Sequence, residues 1–87
     1  MPYEVRVAPA AERQIEKLPK KTQLSVIARL ESLAEEPRPQ GCEKLAGEAS
    51  LYRIRLGDYR VIYDVQDRAL TVLVVKVGHR GDVYRKK

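Results

Sequence analysis

Tryptophan and phenylalanine are absent from this chain, and cysteine, histidine and methionine occur once each. The single thiol, Cys42, has no partner for an internal disulfide, and one cysteine with one histidine, His79, makes no recognisable set of metal ligands. No apolar run approaches the ~20 residues of a membrane-spanning helix. Met1 to Glu4 lacks the basic and apolar regions of a secretory signal. The expectation is a cytoplasmic protein that needs no cofactor, metal or membrane, with Cys42 a small, partly buried side chain. No internal repeat or low-complexity stretch interrupts the 87 residues, whose 44% hydrophobic content suits a single domain spanning 1–87 with one core.

What the chain does have is charge confined to one half. Leu51 to Lys87 carries nine Lys/Arg against four Asp, whereas the first 50 residues carry eight of each sign, so the whole net charge of +5 lies in the second part. A basic excess within a strand-like segment fits a folded phosphate-binding surface, and RNA or another polyanion is the first partner to consider. Four of the five tyrosines lie in the same half, available for packing or for stacking on bases.

Hydrophobic periodicity sets out the elements. Tyr3–Ala8 alternates as a strand with Tyr3, Val5 and Val7 on one face. Pro9 opens a helix over Pro9–Leu18, with Ala11, Ile15 and Leu18 on one side, and Pro19 stops it. A second helix runs from Lys20 to Glu35, with Val26, Ile27, Leu30, Leu33 and Ala34 as its stripe, and the two form a helical hairpin. Residues 37–50 are irregular, with room for a short strand around Cys42–Leu45. From Leu51 the period becomes two. Leu51–Leu56 and Tyr59–Val65 form a hairpin around Gly57-Asp58, and that turn sets Leu56 opposite Tyr59, Arg55 opposite Arg60, Ile54 opposite Val61 and Arg53 opposite Ile62. After a turn at Gln66-Asp67-Arg68, Ala69–Val77 is apolar on both sides and reads as a central strand ended by Gly78. The fold class is therefore α+β, in the order β-α-α-β-β-β, with a mainly antiparallel sheet packed on the helix pair and its other face open.

Arg53, Arg55 and Arg60 share that open, exposed face. Opposing Arg55 to Arg60 is unfavourable for folding alone, because like charges on neighbouring strands repel. Arg80, just beyond the third strand, and Tyr84 can join the patch. Convergent guanidinium groups suit the phosphate at which a ribose 2′-hydroxyl attacks the adjacent phosphorus and expels the 5′-oxygen; DNA, lacking that hydroxyl, would be inert. His79 carries the side chain best matched to proton transfer near neutral pH, although a single histidine beside a glycine turn is more often incidental. Lys44 and Lys76 read as solvated or RNA-steering charges, and Arg85 to Lys87 as an electrostatic tail. The bland alternative, a sheet face merely solvated by arginines, holds for any one of them more easily than for all together.

Leu51-Tyr52-Arg53-Ile54-Arg55-Leu56-Gly57-Asp58-Tyr59-Arg60-Val61-Ile62-Tyr63, followed by Val77-Gly78-His79-Arg80-Gly81-Asp82-Val83-Tyr84, resembles the C-terminal half of RelE-type toxins of the RelE/ParE superfamily. The resemblance implies a RelE-like fold and a metal-independent, ribosome-dependent endoribonuclease that cuts mRNA in the decoding site. It also implies a cognate RelB-like antitoxin that occludes the basic face and alone contacts operator DNA. By the same resemblance Arg60 and Arg80 match the family's phosphate and transition-state arginines, and Tyr84 its C-terminal tyrosine. Arg53 and Arg55 match positions where the best-known member has lysines. Arginine stays charged, so these two clamp phosphate and do not serve as a base. The alternatives are a ParE-like toxin that inhibits DNA gyrase and cleaves nothing, and an inactive protein whose arginine face only holds an antitoxin.

Overall fold

Residues 2–45, 47 and 50–79 are described by the computed structural model. The elements are β1 (Glu4–Val7), α1 (Pro9–Glu16), α2 (Lys20–Ser32), β2 (Glu43–Lys44), β3 (Leu51–Leu56), β4 (Tyr59–Gln66) and β5 (Thr71–His79). The strands form one sheet in the order β1-β5-β4-β3-β2. Its β2–β3, β3–β4 and β4–β5 pairs are antiparallel, and β1 runs parallel to β5 with Glu4 opposite Thr71. The chain between these parallel neighbours runs through both helices to β2 at the opposite edge of the sheet and returns by way of β3 and β4.

Proline sets the helix limits. Pro9 occupies the first turn of α1, where its missing N–H is no loss, and Pro19 stands at the start of α2. Both helices end before their apolar patterns suggest, α1 two residues early at Glu16 and α2 three residues early at Ser32. Ala11 and Ile15 from α1 and Val26, Leu30 and Leu33 from this side pack in one core cluster with Ile54, Val61, Tyr63, Val65, Val72, Val74 and Val77 of the sheet. Each such aliphatic side chain contributes about 1.5–3 kcal/mol by leaving water. Ile27, expected in the stripe, is 41% exposed. It lies one position past Val26, rotated about 100° around the helix, and rims a groove beside Val5 and Val7.

The β3–β4 hairpin has the register that the Gly57-Asp58 turn dictates, Arg55 opposite Arg60 included. Gly57 takes φ 62°, a left-handed value that glycine adopts without steric cost at the first position of a two-residue loop. Two details of the last strand differ from the sequence reading. Ala69 and Leu70 belong to the preceding turn, where their N–H groups donate to the carbonyls of Gln66 and Asp67. Gly78 does not end the strand, because β4 extends back to Tyr59 and keeps the ladder going through Gly78 and His79.

A register shift between Ile62 and Tyr63 decides which side chains reach which face. Ile62 pairs with Lys76, and Tyr63 with Val74, so Val75 is an extra residue on β5. Val72 and Val74 face the core, and after the bulge Val77 does so too, while Lys76 is turned to the open face. Uninterrupted alternation would have placed these residues the other way round.

A polar cluster fastens the α2–β2 connection to the sheet. Arg38 donates to Asp67 Oδ2 (2.7 Å) and to the Tyr52 hydroxyl (3.0 Å), and Tyr3 OH donates to Asp67 Oδ1 (2.6 Å). The bonds from Arg38, and then from Tyr3, hold the Asp67 carboxyl below the usual carboxylate range. Tyr52 and Tyr63 stack at 6.0 Å, and Tyr63 OH donates to the Pro37 carbonyl (2.8 Å). Burial, first of all, pushes the Tyr63 phenol up. These two tyrosines therefore pack within the fold, on the helix side of the sheet.

Candidate nucleic-acid interface

On the face turned away from the helices, two neighbouring rows carry the charge. One row reads Glu43, Arg53, Ile62, Lys76 across β2, β3, β4 and β5; the next reads Arg55, Arg60, Gly78. The hairpin turn and the bulge produce this arrangement together, the first by fixing Arg55 on Arg60 and the second by bringing Lys76 around. Arg53, Arg55, Arg60 and Lys76 thus come from three adjacent strands onto one surface, as a phosphate-binding face requires.

Their environments differ. Arg55 is exposed, whereas Arg60 is only 9% exposed, which corrects the expectation of an arginine open to solvent. Burial leaves its side chain less rotamer freedom than the exposed Arg55 keeps. Arg53 is half-buried and ion-paired with Glu43 of the two-residue strand β2. Asp64, in the row beyond Arg53, accepts from Gln66 Nε2 (2.9 Å).

Other residues singled out from the sequence stand elsewhere. Lys44 pairs with Tyr52, so alternation directs it to the helix side, away from the arginines. His79 pairs with Tyr59, one position beyond the Arg60–Gly78 pair, and so belongs to the opposite face from Arg60. Its ring meets that of Tyr59 edge to face, with centroids 5.3 Å apart and planes at 83°. The bulge at Val75 is the physical reason that His79 does not share the arginine surface. Arg80 and Tyr84 lie outside the described residues, as do Arg85 to Lys87. No group of three or more His, Cys, Asp or Glu that could hold a metal ion occurs among the described residues.

Sequence reasoning missed Glu43. Its carboxylate enters the arginine face because β2 adds to the β3 edge, and the only available signal was a short strand around Cys42–Leu45 in a proline- and glycine-bounded segment. Next to a guanidinium, a carboxylate can orient that cation or accept a proton.

A family model described as the ParE toxin of type II toxin–antitoxin system, parDE, matches residues 5–84. The chain belongs to the RelE/ParE superfamily of type II toxin–antitoxin toxins. Within it the resemblance is to the RelE type. Toxin RelG of Mycobacterium tuberculosis is 34% identical over 87 residues, covering 99% of this chain and 100% of that one. The toxin of the Mycobacterium tuberculosis toxin–antitoxin complex RelBE2 superposes with a TM-score of 0.81 at 33% identity, over 92% of this chain and 100% of its own. The archaeal RelE–RelB complex from Pyrococcus horikoshii gives 0.83 at 33% identity, over 94% and 99%. The α+β architecture of this RelE-type toxin is that of its solved relatives. No described helix is long and apolar enough to cross a membrane.

Proposed function

We propose that this RelE-type toxin is a ribosome-dependent endoribonuclease that cuts mRNA in the decoding site and so arrests translation. The observation that carries the reading is the two-row array of Arg53, Lys76, Arg55 and Arg60 on the face turned away from α1 and α2. A phosphodiester seated there has fixed positive charge on several sides. The 2′-oxygen loses its proton and attacks phosphorus, the bond to the 5′-oxygen breaks, that oxygen takes a proton from water, and the products are a 2′,3′-cyclic phosphate and a 5′-hydroxyl. Negative charge grows on the non-bridging oxygens, where guanidinium groups already in place stabilise it without reorganising. In-line alignment supplies much of the remainder.

Arg60, held by its burial, is assigned to transition-state charge, and Arg53 and Arg55 to the phosphates on either side. Arg80 and Tyr84 join them on the strength of the family resemblance alone. The arginines cannot take the 2′-hydroxyl proton, and His79 belongs to the other face. Glu43, ion-paired with Arg53, is the carboxylate best placed to take it. No metal ion enters this scheme.

The partners in this reading are the ribosome with its mRNA and a RelB-like antitoxin, of the kind present in the two solved complexes, which would cover the basic face and be the component that contacts operator DNA. The gyrase-directed alternative has less support, since the relatives named above are of the RelE type. Translation with purified ribosomes and a defined mRNA tests the choice. Cuts in the decoding site that disappear in Arg60→Ala are expected. Inhibition of gyrase supercoiling with intact mRNA would overturn the reading.

A further inference from the structure

Along its outer edge β5 is paired with β1 only as far as Val74. Beyond that point, among the described residues, a cleft of about 350 Å³ opens between β5 and the end of α1. Gln14, Lys17 and Leu18 line it from the helix, and Tyr59, Lys76 and His79 from the sheet. Its volume falls within the ~300–1,000 Å³ range of ligand pockets.

The lining specifies the ligand. Among the described residues that line the cleft are two lysines and no carboxylate, which favours an anion. The groove on the other side of α1, of similar size, is rimmed instead by Glu12, Glu16 and Glu31. The Tyr59–His79 pair offers an exposed imidazole braced edge-on by a phenol, a surface on which a nucleobase can stack. Gln14 is fixed by the Val77 N–H, which donates to its Oε1 (2.7 Å), and this turns the amide NH2 away from the strand as a donor for a ligand.

The cleft also shares residues with the strand rows that carry the arginines. Gly78 lines it, pairs with Arg60 and carries no side chain of its own. Lys76 lines the cleft while standing in the same row as Arg53. The geometry points to a second nucleotide subsite: an RNA strand held on the arginine face turns over the backbone at Gly78, and the neighbouring nucleotide enters this cleft. Its base lies against the Tyr59–His79 pair and its phosphate between Lys17 and Lys76. This subsite rests on the RNA-cleaving reading given above, and it gives His79 a binding role in place of a proton-transfer one.

Two measurements on the full chain test it. In the first, cleavage by Lys17→Ala and His79→Ala is followed against the concentration of mRNA-programmed ribosomes. A rise in KM of about tenfold with kcat within twofold of wild type is expected. An unchanged KM, or a fall in kcat alone, overturns the subsite. In the second, fluorescence anisotropy follows binding of a short RNA blocked by 2′-deoxy substitution as salt is varied. Lys17→Ala should lower the slope of log K against log salt by about 1. Identical slopes overturn the subsite. If wild type cuts no mRNA on ribosomes, the proposed function fails, and the anisotropy slopes still decide whether the cleft binds RNA. Lys17 is exposed, so its truncation leaves the fold intact.

Discussion

Arg55 and Arg60 face each other directly across the β3–β4 hairpin, yet Arg60 is buried while Arg55 stands in solvent. Opposed like charges on adjacent strands destabilise by about 0.2–1 kcal/mol. Arg55→Gln should therefore raise stability in urea unfolding by that amount while weakening RNA binding. Equal or lower stability would show that the repulsion is already relieved in the wild-type fold.

Arg60→Ala should reduce mRNA cleavage on ribosomes by ~10²-fold or more, the loss typical of a preorganised charge aimed at the transition state. Because the residue is buried, the same change should also lower stability by ~1–3 kcal/mol. Arg60→Lys keeps the charge and loses the planar fork, so it should recover only part of the activity. Full activity in both variants would remove Arg60 from the site.

Asp67 links Arg38 and Tyr3, and both bonds depress its pKa in the folded state. A depressed carboxyl contributes stability that is present above its unfolded value of about 3.9 and is lost as pH falls through the lower folded value. The wild type should therefore lose stability on acidification more steeply than Asp67→Asn across that window, in unfolding curves collected from pH 6 downwards. Parallel curves would show that the cluster contributes nothing to folding.

Gln14 closes the β5 edge where β1 stops, its Oε1 taking the N–H of the fully buried Val77. Gln14→Ala leaves that donor without its acceptor, at a cost of ~1–3 kcal/mol. Hydrogen exchange at the Val77 amide should accelerate accordingly. An unchanged exchange rate would mean that another group seals the edge.

Much of this was legible in the residues. The Gly57-Asp58 turn alone set the β3–β4 register, and with it the Arg55–Arg60 opposition, because a two-residue loop leaves no freedom of pairing. The helices were legible from Pro9, Pro19 and the Ala11, Ile15, Val26, Leu30 spacing. The bulge was not. Val72 through Val77 is apolar enough that either face satisfies local preference, so nothing in the segment marks Val75 as the extra residue. That one residue decides whether Lys76 or His79 meets the arginines. Glu43 escaped for a different reason, since a two-residue strand has no period to detect. The burial of Arg60 has no signature in the alternation of its own strand, which marks a face but not how far that face is covered.

The parallel pairing of β1 with β5 has a consequence for how the molecule comes into being. Glu4–Val7 leaves the ribosome well ahead of its hydrogen-bonding partner, Thr71–Val74, which follows more than sixty residues later. Contacts of such long separation are slow to form and cannot reward the chain until that later strand has emerged. A nascent toxin halted before Thr71 lacks the strand that carries Lys76 and Gly78 and joins β1 to the sheet. The producing cell thus has an interval during synthesis in which the chain is present but its basic surface is not yet assembled.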